Sequence, residues 1–268
     1  MLNFITFGSG SSGNCYYLFT DEEGLMIDVG VGMRTLKKYF KEYGLHLSLN
    51  SNILVTHDHA DHVKSVGSFS NDHNIPVYTT SKVHQGIRNN YCVRHKSSPD
   101  KVRVINVGET FSIGKFHITP FPVPHDSCEN VGYRIIYGDI NFCIITDAGH
   151  VTDEMAEYIA QANYLVIDSN FDSEMLMSGP YPAHLKARIS SAMGHLSNKD
   201  CAEAVARYCS PVLKHVWLCH LSEENNHPEL ARKTFEDILR NEYGIVTGKD
   251  FMLDVLKRKT PSRVYELK

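Results

Sequence analysis

The sequence predicts an α/β protein built on two β-sheets with helices on their outer faces. Three observations point there. Short apolar strands joined by Gly-containing turns fill residues 2–27, and a second strand-rich stretch fills residues 102–147. Segments of helical pattern follow each run of strands, as expected where helices cover the sheets. No internal repeat, low-complexity tract or Pro/Ser-rich linker interrupts the 268 residues, so residues 1–268 are expected to form a single domain.

The elements follow in order. Leu2–Phe7, Cys15–Thr20 and Leu25–Ile27 read as strands. Met33–Tyr43 reads as a helix ended by Gly44. Ile53–Thr56 is an apolar, buried strand, and Asp61–Asn71 a helix. Pro76–Thr80 is a strand, after which Ser81 caps a helix to about Asn90. VRVINV, TFSI, FHITPFPV, VGYRIIY and NFCIIT are strands within 102–147. Thr152 caps a helix to Ala162, and YLVIDS (164–169) is the next strand. Pro182–Met193 and Lys199–Cys209 are helical, the second with Ser197 and Asp200 at capping-box spacing. Val212–Leu218 is a strand and Glu229–Tyr243 a helix ended by Gly244. Strands Phe251–Leu256 and Arg263–Glu266 close the chain.

Composition narrows the function classes. At 42% hydrophobic and 22% charged the chain has an ordinary globular make-up. A formal net charge of −4 announces no polyanionic partner, so a nucleic-acid argument rests on local patches. No apolar run approaches the ~18 residues of a membrane span. The first strand meets Gly8-Ser9-Gly10 too early to form the apolar core of a signal peptide. A cytoplasmic protein without membrane contact is the expectation. Seven scattered cysteines with no CxxC fit reduced thiols that mostly fill the core.

The chemistry is concentrated in LVTHDHADH (54–62), which follows directly on Ile53. Neutral imidazole and carboxylate suit zinc, manganese or iron. The HxHxDH spacing lets His57 and His59 reach one ion, and Asp61 and His62, in the first turn of the next helix, reach a second. A polar loop before a helix start would account for a lone Asp, not for four ligand types in six positions. Further ligand types stand at other strand ends: His125 after FHITPFPVP, Asp147 after NFCIIT and His220 after HVWLC. Such convergence is the signature of a di-metal site.

On these residues the chain resembles the metallo-β-lactamase superfamily over essentially its whole length, with Asp28 in LMIDVG, THDHADH, His125, Asp147 and His220 in the family order. The resemblance implies an αββα sandwich with a metal centre at one edge of the two sheets. It implies two divalent ions, zinc first, with manganese or iron as alternatives. By the family pattern His57, His59 and His125 hold one, Asp61, His62 and His220 hold the other, and Asp147 bridges. Asp28 would stand behind a ligand histidine; its plainer role is a turn-forming Asp before Gly30.

Other stretches narrow the branch. FGSGSSGNC (7–15) offers Ser9, Ser11, Ser12 and Asn14 as a phosphate grip, or is a flexible turn. VIDSNFDSEML (166–176) offers Asp168 and Asn170 to substrate. GPYPAHLKARISSAMGHLSN (179–198) carries His195, and HLSEENN (220–226) follows the last ligand. Together they resemble the YycJ/WalJ-type branch of bacterial single-domain nucleases. Phe171 stands where that branch's SNHD form has His, so no role of that histidine carries over.

The resemblance implies a di-metal phosphodiesterase acting on DNA rather than RNA, as a 5′-to-3′ exonuclease. Two ions ~3.5–4 Å apart share a hydroxide and clamp the attacking and leaving oxygens. Asp61 orients or deprotonates that water. His195, where related tRNA-processing enzymes carry a His at the leaving group, protonates the departing oxygen; its plainer role is helix entry. Residues 88–103, RNNYCVRHKSSPDKVR, hold five Lys/Arg against one Asp. There Arg94 and Lys96 are candidates for phosphate contact and Tyr91 for stacking, with an ordinary solvated face as the alternative. Lys186 and Arg188 precede His195 on its stretch. An RNA-processing nuclease, a small-molecule (thio)ester hydrolase and a non-catalytic metal-binding protein are the competing functions. Oligomeric state is not legible.

Overall fold

Apolar runs and turn residues set out two seven-stranded sheets in the computed structural model, which describes residues 1–47 and 50–268. In the first sheet, β1 (Leu2–Gly8), β2 (Cys15–Phe19) and β3 (Glu23–Ile27) form an antiparallel meander. The sheet continues in parallel through β4 (Asn50–Leu54), β5 (Val77–Thr79) and β6 (Val102–Val104). The last strand of the chain, Tyr265–Leu267, pairs antiparallel with β1. The second sheet contains β7 (Phe111–Ile113), β8 (Phe116–Pro122), β9 (Val131–Tyr137), β10 (Ile140–Ile145), β11 (Tyr164–Asp168), β12 (His215–Cys219) and β13 (Met252–Val255). Its order is β13-β12-β11-β10-β9-β8-β7, parallel from β10 to β13. The parallel strands β11 and β12 are buried along their whole length, which is why they read as unbroken apolar runs rather than as alternation.

The chain groups into two compact units: residues 1–118 with 127–130 and 257–268, and residues 119–126 with 131–256. In the first, Ile5, Phe7, Met26 and Ile53 from the strands, and Val55 just after β4, pack with Leu36 of α1 (Met33–Glu42), Val63 of α2 (Ala60–Val63), Val66 and Phe69 of α3 (Val66–His73), and Val83 and Ile87 of α4 (Ser81–Asn89). The second unit carries α5 (Asp153–Gln161), α6 (Ser173–Ser178), α7 (Ala183–Ile189), α8 (Asn198–Tyr208) and α9 (Pro228–Tyr243). Its core joins Cys143, Leu165 and Leu218 from the strands to Met155, Cys201, Val205 and Phe235 from the helices. Each of these buries apolar surface at about 25 cal/mol per Å². The result is the expected α/β class, two mixed sheets flanked by helices. Among the described residues no helix is long and apolar enough to cross a membrane.

Where element boundaries differ from expectation, specific hydrogen bonds are the cause. The helix expected over Asp61–Asn71 is two helices, α2 and α3. Val29 N–H donates to His62 O (2.9 Å) and Ser65 N–H donates to Val29 O (3.0 Å), which takes that backbone out of the helical ladder. Thr80, not Ser81, caps α4, accepting from Val83 N. The helix expected to reach Met193 ends at Ile189, because His195 N–H returns to Ile189 O (2.9 Å). Helix α6 was not foreseen; Asp172 caps it, accepting from Glu174 N and Met175 N. The caps at Thr152 and Ser197 stand as expected, and Ser197 gives its hydroxyl to Asp200 Oδ2 (2.6 Å).

Candidate metal centre

In the first unit a cluster of candidate donors grows from the ends of β3 and β4. Their parallel register sets Ile27 beside Leu54, so the chains leave side by side and Asp28 N–H donates to Leu54 O (2.9 Å). The Asp28 carboxylate is fully buried and accepts three hydrogen bonds. Thr56 N–H reaches Oδ1 at 2.9 Å, and Thr56 Oγ1–H and His62 Nδ1–H reach Oδ2 at 2.8 and 2.7 Å. Asp28 therefore does more than form a turn: it holds the proton of His62 on Nδ1 and leaves Nε2 as the lone-pair nitrogen. The same logic reaches His57. The Thr56 hydroxyl has one hydrogen, given to Asp28, so at 3.0 Å from His57 Nδ1 it accepts. The rings of His57 and His62 lie 4.1 Å apart between centroids, and those of His57 and His59 4.7 Å.

Asp61 is partly exposed, with Oδ2 3.5 Å from His62 Nε2. Its backbone oxygen accepts from Asn14 N–H (2.8 Å) against a glycine: a Cβ on Gly30 would stand 1.6 Å from Asp61 O. The Asn14 amide lies within reach of Gly10 O (3.2 Å), Asp61 Oδ2 (3.2 Å) and His62 Nε2 (2.9 Å). Two amide hydrogens do not serve three acceptors equally, so His62 Nε2 can pass to an ion while the other two contacts persist.

In the second unit the strand ends gather a matching set. His125 follows β8 and donates Nδ1–H to Gly194 O (2.9 Å), which again leaves Nε2 as the donor atom for a metal. Asp147 follows β10; Thr146 Oγ1 donates to its Oδ2 (2.6 Å), and its Oδ1 lies 3.5 Å from His220 Nε2 and 3.8 Å from His125 Nε2. Asn170 donates to His220 O (2.7 Å) and its amide nitrogen lies 3.1 Å from His220 Nδ1. His195 stands between the two ligand-type rings, 5.1 Å from His125 and 5.2 Å from His220 by ring centroids. Its Nδ1 donates to Asp168 Oδ2 (3.1 Å), which also accepts from Ala148 N (3.1 Å). His125, Asp147 and His195 form one group with ligand atoms within 4.8 Å of one another, and Asp168, His195 and His220 another.

Backbone conformation marks the same positions. Among the described residues the non-glycine residues with left-handed φ are Asp28 (59°), Asn74 (57°), Asp147 (56°) and His220 (54°). Asn74 ends α3. The other three carry the family motifs at the ends of β3, β10 and β12, where the chain turns sharply. Left-handed backbone at such residues is uncommon, costs on the order of 1–3 kcal/mol, and clusters at functional sites.

These donors fit divalent ions. Asp28 on His62, Thr56 on His57 and Gly194 O on His125 each engage Nδ1 and leave Nε2 to face an ion, the arrangement usual for metal-ligating histidines. The family comparison agrees: the model described as "Beta-lactamase superfamily domain" matches residues 26–220. The chain belongs to the β-lactamase superfamily. Within it, the chain is 35% identical over 263 residues to "Exodeoxyribonuclease YycJ" of Bacillus anthracis, covering 98% of each protein. It is 36% identical over 244 residues to "Exodeoxyribonuclease WalJ" of Streptococcus pneumoniae, covering 91% of this chain and 90% of that protein. Among solved structures, Zn(2+)-bound PqqB from Methylobacterium extorquens superposes with a TM-score of 0.70 at 16% identity, covering 99% of this chain and all of that one. The metallo-beta-lactamase fold protein YhfI from Bacillus subtilis gives 0.68 at 16%, covering 98% of this chain and 99% of that one. At that identity the likeness is one of fold.

Several of the other residues singled out in the sequence have partners within the protein. Ser9 is buried and bonds through Oγ to Tyr16 OH (2.9 Å), so it holds the loop together; Ser11 and Ser12 form its exposed tip. Asp168 and Asn170 are buried against His195 and His220 rather than open to a substrate. Arg94 and Lys96 are both exposed, but Lys96 turns its ammonium back onto Ile87 O (2.9 Å) and Asn90 O (2.6 Å), the carbonyl end of α4. Lys186 donates to Met177 O (2.7 Å), and Arg188 pairs with Asp126, the carboxylate that keeps its guanidinium above the ordinary pKa. Thr56 was missed as a link between Asp28 and His57, as were Asn198 and Asn226, whose buried amides join Ser169 and Asn170 beneath the site. Their signal was the polar GHLSN and HLSEENN stretches beside apolar strands.

Proposed function

We propose that the chain is a di-metal exodeoxyribonuclease that removes nucleotides from DNA, 5′ to 3′, in the cytoplasm, with zinc as its first-choice metal. The observation that carries this reading is the pair of relatives named exodeoxyribonuclease at 35–36% identity, matched along nearly the whole chain. The buried histidine and aspartate donors of both units support it. By the family pattern His57, His59 and His125 serve one ion, Asp61, His62 and His220 the other, and Asp147 both.

Bound ions supply an activated water and neutralise charge developing on the phosphate. The chain's residues do the rest. Asp61, held by Asn14, would orient the attacking water and accept its proton. Asp28 and Thr56 keep His62 and His57 in the tautomer that offers Nε2, and Gly194 does so for His125. His195 would deliver a proton from Nε2 to the departing oxygen, its ring oriented by the bond from Nδ1 to the buried Asp168 carboxylate.

The test is metal-reconstituted protein on 5′-labelled DNA, 5′-labelled RNA and a thioester, side by side. Labelled mononucleotide should be released first from DNA, and Asp147→Ala should lose both metal and activity. Preference for the thioester, or full metal content in Asp147→Ala, would overturn the assignment.

A further inference from the structure

We infer that the cavity beside His59 is the seat of a nucleobase next to the scissile phosphate, with Tyr91 as its stacking platform. The inference deepens the nuclease reading and rests on it. The cavity has a volume of about 540 Å³ and is lined by His59, Asp58, Lys82, Gln85, Asn90 and Tyr91, among others. That size lies within the ~300–1,000 Å³ typical of small-molecule sites. His59, an expected metal ligand, forms part of its wall, so a group seated here adjoins the place where a phosphodiester is cut.

Charge argues for a base rather than a phosphate. The cation on the wall, Lys82, is already paired with Glu129 (3.0 Å). Asp58 contributes a carboxylate, tied to Cys128 N (3.3 Å) and packed where a Cβ on Gly86 would meet its Oδ2 at 2.3 Å. A phosphate would face that carboxylate with no unpaired cation among these residues to offset it. A neutral base instead meets the amides of Gln85, Asn89 and Asn90 along its edge. Asn90 also donates to Asp58 O (2.7 Å), which fixes this wall to the backbone between His57 and His59.

Tyr91 supplies the stacking face. Among the described residues it is the most open of the exposed large hydrophobic side chains, at 92% of its surface. A single exposed aromatic needs no explanation; one on the rim of a polar cavity that abuts a ligand histidine has a partner of matching chemistry. Every base has a π-face, so such a platform tolerates sequence, as an exonuclease requires. Arg94, exposed and three residues further on, offers a cation on which the next phosphate of the strand can lie.

The experiment compares wild type, Tyr91→Ala and Tyr91→Trp on single-stranded DNA, intact or with an abasic nucleotide on either side of the first scissile bond. Stacking contributes about 1–3 kcal/mol per base, so Tyr91→Ala should raise KM roughly 5- to 150-fold at a tenfold per 1.4 kcal/mol. Tyr91→Trp should restore KM to within about threefold. On the matching abasic substrate the two proteins should differ far less, because the partner of the ring is already missing. Equal KM for wild type and Tyr91→Ala on intact DNA, with cleavage present, would overturn the base site and leave the nuclease reading standing. Absence of DNA cleavage by the metal-loaded wild type would overturn both.

Discussion

Asp28→Asn tests whether a carboxylate sets the chemistry of the centre through a tautomer. Asn accepts the left-handed backbone that Asp28 adopts at φ 59°, so the turn after β3 survives. The substitution changes only what the side chain can accept. Thr56 N–H points at Oδ1 and cannot turn away, so the amide oxygen keeps that position and the NH2 group takes the place of Oδ2. There it faces the Thr56 hydroxyl at 2.8 Å and His62 Nδ1 at 2.7 Å. The hydroxyl can rotate to accept. His62 can accept only by moving its proton to Nε2, the nitrogen a metal needs. Hydrogen bonds to a charged group contribute roughly 1.5–3 kcal/mol each. With two weakened, the metal-free protein should lose about 3 kcal/mol, a fall in Tm of roughly 6–12 °C at ~2–4 °C per kcal/mol for a large domain. Affinity for the ion at His62 should drop about 10- to 100-fold, the usual effect of removing a residue that orients a ligand. Competition against a chromophoric chelator reads the affinity, and calorimetry the melt. Wild-type affinity in a folded Asp28→Asn protein would refute the tautomer argument.

Further outcomes follow from the same contacts. His195→Ala should keep its metal and lower DNA turnover about 10²–10⁴-fold, while a nitrophenyl phosphodiester, whose leaving group needs no proton, should lose far less; equal losses would make His195 a positioning residue. Arg94→Ala should reduce the log–log salt dependence of single-strand binding by about 0.7. Lys96→Ala should leave that slope alone and lower stability by roughly 0.5–1 kcal/mol through the lost cap on α4; thermal melts and salt titrations separate the two. Burial, with Asp58 alongside, pushes the Cys128 thiol up to about 12, although the residue is exposed. The folded state therefore disfavours the thiolate: at pH 8 only about one Cys128 in 10⁴ is ionised. Alkylation followed by mass spectrometry should show labelling that rises about tenfold per pH unit, and rapid labelling at pH 8 would contradict the assignment.

Much of the fold was legible because its signals are local. Unbroken apolar runs at β11 and β12, Gly44 and Gly244 after helices α1 and α9, and hydroxyl caps at Thr152 and Ser197 each depend on a few neighbouring residues. The expected metal donors were legible for the same reason, since HxHxDH occupies one strand exit and His125, Asp147 and His220 each end a strand. What the sequence by itself determined is therefore the kind of protein and the identity of its candidate ligands. The tertiary structure alone decided how those ligands are held. Asp28 meets His62 across 34 residues, and His125 meets Gly194 O across 69. It decided that Asn14 and Asp168 support the site from within, that Ser9 is buried, and that Lys96, Lys186 and Arg188 spend their charge on carbonyls and Asp126. It also decided the left-handed turns at Asp28, Asp147 and His220. The physical reason is range: apolar period and caps are set within one or two turns of chain, whereas a side chain's partner is set by which strand ends the sheet brings side by side.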